Sequence, residues 1–179
     1  YLATQITGIS RRVSPEPLES FSGELSTEQL NVLLLLPPPN EGPGSIASET
    51  LTALESLPVS AELDCLRPST EACLQEHLSA RHAHYHLVHL DGFTVDSEGL
   101  LMEDGSGGIQ TVSAAALAQI LNDAQTPLVL INVSMHSALN NVMSFAAGLA
   151  QNGVPQVVVS PLPIAGAGKV LFSEFLLKG

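Results

Sequence analysis

The chain has 179 residues, 45% of them hydrophobic and 13% charged, a balance that excludes disordered and fibrous classes and suits one domain with a short arm. Its formal charge is −12, with six Lys and Arg against 18 Asp and Glu. That excludes a nucleic-acid or anionic-membrane partner, since each needs a basic footprint.

No apolar run approaches the roughly 20 residues that span a bilayer; the longest, Val32 to Leu36, is strand-sized. No basic segment followed by an apolar one opens the chain, so no signal peptide is expected. A chain that begins at Tyr1 reads as a piece of a longer protein or a processed product. Cys65 and Cys73 are too few for a disulfide framework. Both sit in apolar patterns, so buried thiols in a reducing, cytoplasmic compartment are expected.

Residues 1–30 carry Pro15, Pro17 and a Ser/Glu-rich stretch and read as an arm or linker. The domain proper is expected over 31–179, with its C-terminal end truncated. Asn31 to Leu36 is a continuous apolar run, typical of a strand covered on both faces. Pro37, Pro38 and Pro39, then Gly42 and Gly44, make a loop. Leu51, Leu54 and Leu57 recur at helical spacing until Pro58. Val59 to Leu66 alternates as a second strand, and a helix follows with Ser69 as its expected N-cap.

The third strand is expected over His84 to Leu90, stopping at Asp91-Gly92. Leu100 to Asp104 is a short strand followed by a glycine-rich turn, Gly105 to Gly108. Thr111-Val112-Ser113 caps a helix through Leu121. Pro127 to Val133 is another buried strand, Ala138 to Ala150 a helix, and Gln156 to Pro161 a further strand. Lys169 to Leu177 starts a last helix. Buried strands alternating with helices predict an α/β fold, a three-layer α/β/α sandwich around a mostly parallel sheet with a small hairpin insertion. Ligands in such sheets sit beyond the carboxyl ends of the strands. Asp91-Gly92-Phe93 and Asn132-Val133-Ser134 both fall there.

In order and spacing these segments resemble the CHAT domain, the caspase-like module related to separase and the gingipain-type cysteine peptidases. The resemblance covers about residues 31 to 177. It rests on His89-Leu90-Asp91-Gly92-Phe93-Thr94, Leu100 to Asp104, Val112-Ser113 through Leu117, Leu130 to Ala138, and Asn152-Gly153-Val154 with the strand after it. It implies a caspase-like sandwich, and it places the family's catalytic histidine at Phe93 and its nucleophilic cysteine at Ser134. Phenylalanine cannot accept a proton, and a serine hydroxyl ionises far less readily than a thiol. Loss of both members of the dyad removes chemistry of the family kind. The phenyl ring is expected to fill the space an imidazole would occupy.

The resemblance therefore implies an inactive pseudo-peptidase that acts as a protein-interaction or regulatory module. Its expected partner is a protein or peptide, including a neighbouring helical-repeat domain of the same chain. One alternative is a hydrolase with rebuilt chemistry, in which Ser134 finds His89 or His136 as its base. Another is a small-molecule binding module at the carboxyl edge of the sheet.

No cofactor and no metal are expected. His82, His84 and His86 alternate as metal ligands on one strand face would, yet no acidic or cysteine ligand is paired with them. Gly166-Ala167-Gly168-Lys169-Val170 lacks the first glycine of a phosphate loop, where Pro163 stands, and the Ser or Thr after its lysine. Glu103 and Asp104 read as part of a solvated turn.

Overall fold

A computed structural model describes residues 29–38, 54–55 and 60–160. Strands β1 (Gln29–Leu35), β2 (Ser60–Leu66) and β3 (Leu87–Phe93) are followed by the short pair β4 (Leu100–Glu103) and β5 (Ile109–Val112). Strands β6 (Leu128–Val133) and β7 (Gln156–Ser160) complete the set. The helices are α1 (Glu71–Ala80), α2 (Ala114–Asp123) and α3 (Leu139–Gln151). The fold is α/β. Five strands form a parallel sheet in the order β2-β1-β3-β6-β7, and β4 and β5 form an antiparallel hairpin outside it.

That order reverses direction once, between β1 and β3. Right-handed crossovers then put the connection from β1 to β2 on one face and the three later connections on the other. The two hydrophobic clusters follow that division. Leu33, Leu35, Val88, Leu90, Val129 and Ile131 face a core with Leu74 and Leu78 of α1, Leu117 and Leu121 of α2, and Phe145 and Leu149 of α3. Val32, Leu87 and Leu130 face the other side, where they meet Leu54. Leu54 and Glu55 are helical, within the stretch where the Leu51–Leu54–Leu57 spacing predicts a helix. The sandwich thus follows from strands apolar on both faces.

Several local expectations shift. β3 starts at Leu87 and runs on through Asp91 and Gly92 to Phe93, because those residues keep pairing with β6. His82, His84 and His86 lie before it in a turn and do not share a strand face. Thr70, one residue beyond Ser69, caps α1 by accepting from Cys73 N at 3.0 Å. Ser69 instead donates to the carbonyls of Leu36 and Leu66, tying together the ends of β1 and β2. Ser113 caps α2 as expected, accepting from Ala116 N at 3.2 Å. Cys65 is exposed and Cys73 half-buried, so the expected burial of both thiols does not hold. β2 is the end strand of the described sheet, and its apolar alternation does not bury every second residue. Gln29 and Leu30, expected in the arm (1–30), begin β1 because they pair with Ser60 and Ala61, and the rest of the arm, the proline loop beyond Pro38 and the helix over 169–177 lie outside the described residues.

The Gly105–Gly108 stretch is the turn joining β4 to β5. Asp104 organises it, with Oδ1 accepting from Ser106 N at 2.7 Å and Gly108 N at 2.9 Å. These N–H groups stabilise the carboxylate and hold Asp104 below the usual range for its side chain.

Candidate functional site at the carboxyl edge

Asp91 and Asn132 are register partners on β3 and β6, and Asn132 is in turn opposite Ser160 on β7. All three are buried, and Asn132 Nδ2 donates to Asp91 Oδ1 at 2.6 Å. One residue later the register changes. Phe93, not Gly92, is opposite Val133, so β3 carries an extra residue against β6. Gly92 sits at φ +83°, a backbone region that costs an L-residue about 1–2 kcal/mol. This β-bulge resets the side-chain alternation, as bulges do.

The reset decides where the ring points. Phe93 is 0% exposed and belongs to the core under the three described helices, with Leu90, Ile131 and Val133. Phe93, where the resemblance expects an aromatic ring in place of an imidazole, is a core side chain. Its burial is worth about 2–3 kcal/mol.

The residue that meets Ser134 is Thr94. Their hydroxyl oxygens are 2.7 Å apart, and both residues are buried, with Ser134 8% exposed. The Phe93 backbone carbonyl accepts from Ser134 N at 2.9 Å and extends the sheet pairing by one bond. Beyond Ser134 the chain turns. His136 N donates to Ser134 Oγ at 3.3 Å, and Ser137 N donates to Ser134 O at 3.2 Å. Ser137 Oγ accepts from Val95 N at 2.9 Å, which fastens the turn to the loop after β3.

Among the described residues, the partners of the Ser134 hydroxyl are thus a threonine hydroxyl and a backbone amide. Neither is an imidazole. His136 is exposed and reaches Ser134 through its main chain. His89 lies 5% exposed inside β3, paired across the sheet with Leu34 and Leu130. A nucleophile needs a base within hydrogen-bond reach, and a threonine hydroxyl is not a base near neutral pH. Among the described residues, no imidazole or carboxylate is hydrogen-bonded to the Ser134 hydroxyl.

Asp91 and Asn132 lie in the stretches that the sequence places at the carboxyl edge, whereas Thr94 and Ser137 are site residues to which sequence reading gave no role. The signal for Thr94 was the glycine two residues before it, since a glycine in a strand interior marks a bulge. For metals, no group of three His, Cys, Asp or Glu is gathered among the described residues.

A second polar cluster lies away from this edge, between β2, α1 and the turn before β3. Arg81 Nη1 donates to Asp64 Oδ2 at 2.9 Å and to Tyr85 Oη at 2.7 Å, and lies 2.7 Å from His77 Nε2. Tyr85 Oη also donates to Asp64 and lies 2.6 Å from His77 Nε2. Burial, then the Arg81 charge, pushes His77 below the ordinary histidine value. Burial, then the bond to Asp64, pushes the Tyr85 phenol well above its ordinary range. The cluster pins edge strand β2 to α1.

No known family model matches this chain, and no curated protein matches it.

Among the described residues, no helix is long and apolar enough to cross a membrane.

Proposed function

We propose that the chain is a catalytically inactive, caspase-like pseudo-peptidase domain of the CHAT type, and that it works by binding a protein or peptide segment within a larger protein. The observation that carries this reading is the Thr94–Ser134 hydroxyl pair. A threonine hydroxyl and a backbone amide occupy the hydrogen-bonding positions around Ser134, and Phe93 is committed to the core. Neither the hydroxyl nor the amide is a base that would take the serine's proton. The carboxyl edge of a parallel sheet remains a shaped binding surface after its chemistry is gone. As the end strand of the described sheet, β2 offers a second means of holding an extended segment, by strand addition. A neighbouring helical-repeat domain of the same chain is one such partner. The two unbridged thiols suit a reducing compartment such as the cytoplasm.

The test is chemical. The purified chain is incubated with a serine-directed fluorophosphonate, a cysteine-directed acyloxymethyl ketone and a peptide cleavage library, and the products are read by mass spectrometry. No adduct at Ser134 and no specific cleavage are expected. A stoichiometric adduct on Ser134, or a reproducible cleavage site lost in Ser134→Ala, overturns the reading.

A further inference from the structure

The turn that follows Ser134 presents an apolar surface. Met135 is 82% exposed and Leu139, at the start of α3, is 51% exposed. Single exposed hydrophobic residues are ordinary. These two differ because their backbone is held: Ser134 and Ser137 anchor the turn between them through three hydrogen bonds. Met135 is therefore fixed outward while Val133 and Ser134 beside it are buried. A polarisable, unbranched thioether adapts to varied apolar partners.

Among the described residues, the charge beside this turn is one-sided. Residues 133–144 contain no Asp, Glu, Lys or Arg. The adjoining loop, fastened by the Val95–Ser137 bond, carries Asp96 and Glu98. Among the described residues, the Lys and Arg side chains are Arg67 and Arg81, and Arg81 is bound to Asp64 on β2. A cation approaching Met135 meets carboxylates and no competing cation from this loop. An acidic segment is repelled by the loop and by the whole chain at −12.

We propose that Met135 and Leu139, with Asp96 and Glu98 at their rim, form a docking ledge for a peptide segment carrying a large apolar residue next to a Lys or Arg. This rests on the reading of the domain as a binding module and names its partner chemistry. The apolar anchor covers the ledge, and the basic residue faces the acidic loop. Exposed charges at a rim act chiefly on encounter rate and salt dependence, so the anchor carries most of the affinity.

The experiment is fluorescence anisotropy of the full chain with three sets of labelled peptides of about twelve residues, a length that covers one groove or ledge. One set carries Lys/Arg with Leu/Phe, one Glu with Leu/Phe, and one Lys/Arg with Ser/Gly. Saturable binding is expected for the first set alone. The double variant M135S/L139S changes exposed side chains and is expected to weaken it at least about tenfold with thermal unfolding unchanged. The double variant D96N/E98Q is expected to weaken it about threefold at low salt and to flatten the salt dependence. Asn at 96 keeps the turn, because its side-chain oxygen can still accept from Glu98 N and Gly99 N as Asp96 Oδ1 does. Equal binding of the acidic-apolar set, no binding by any set, or basic-apolar binding unmoved by both variants overturns the ledge. A fluorophosphonate arm on the same sample separates the two readings. An adduct at Ser134 overturns the inactive-peptidase reading and leaves the anisotropy result standing. Peptide binding untouched by both double variants, with no adduct, overturns the ledge alone.

Discussion

The hydroxyl oxygens of Thr94 and Ser134 lie 2.7 Å apart in a buried site, 40 residues apart in the chain. That contact joins the ends of β3 and β6 through two hydroxyls, neither of which ionises near neutral pH. The bond is structural in effect: each hydroxyl satisfies the other out of contact with water. Removing one partner leaves the other short of a bond, a loss of about 1–3 kcal/mol. Thr94→Val is expected to lower the unfolding free energy by that amount in urea titrations, while leaving the reactivity of Ser134 toward fluorophosphonate at background. A large rise in reactivity on losing the threonine would show that Thr94 had been masking a competent nucleophile.

A histidine at position 93 and a cysteine at position 134 are not expected to form a reactive pair. In Phe93→His combined with Ser134→Cys, the imidazole enters a core formed by Leu90, Ile131 and Val133, because the bulge aims residue 93 there. Burial of an unpartnered polar ring costs about 1–3 kcal/mol beyond the lost apolar packing. The double variant should unfold at lower urea concentration than the parent and show no more cysteine labelling at position 134 than Ser134→Cys alone. Fast, pH-dependent labelling confined to the double variant would mean that residue 93 reaches residue 134.

Phe93→Ala should be among the most damaging single changes in the site region. It removes a fully buried aromatic side chain, and such truncations cost about 3–5 kcal/mol. Gly92→Ala should cost less, about 1–2 kcal/mol, from the positive φ alone. Chemical denaturation of both variants gives the ranking. If Gly92→Ala were neutral, the bulge would not need its left-handed residue.

Stability should fall in mild acid through His77. Burial and Arg81 lower its folded value below the ordinary 6.5. The neutral ring is then the form that folding favours, so below about pH 6.5 the unfolded chain binds the extra proton. The stabilisation tied to neutral His77 is complete above that pH and is lost as pH drops toward the folded value. Protonation also sets an imidazolium against the Arg81 guanidinium, whose Nη1 lies 2.7 Å from Nε2. Urea titrations of the parent and His77→Gln from pH 7.5 to 5 should give a shallower pH slope for the variant. Parallel slopes would place the acid sensitivity elsewhere.

What the residues determined alone is the set of elements and the location of the site. Runs such as Val32 to Leu36 are apolar at every position, which demands cover on both faces and hence a sandwich. Alternating strands and helices imply parallel pairing, and strand ends rich in Asp, Gly, Asn and Ser mark the carboxyl edge. The charge balance is equally readable. Local boundaries were less legible. The cap of α1 moved from Ser69 to Thr70 because two adjacent hydroxyl residues compete for one role, and packing against Leu36 and Leu66 takes the first of them. Only the tertiary structure decided the strand order, with its reversal between β1 and β3, and the orientation of Phe93. One extra residue at Gly92 turns the ring into the core and brings Thr94 to Ser134. Strand register is set by pairing between residues far apart in the chain, and a shift of one place reverses every side chain after it. Neighbouring letters carry no record of that pairing.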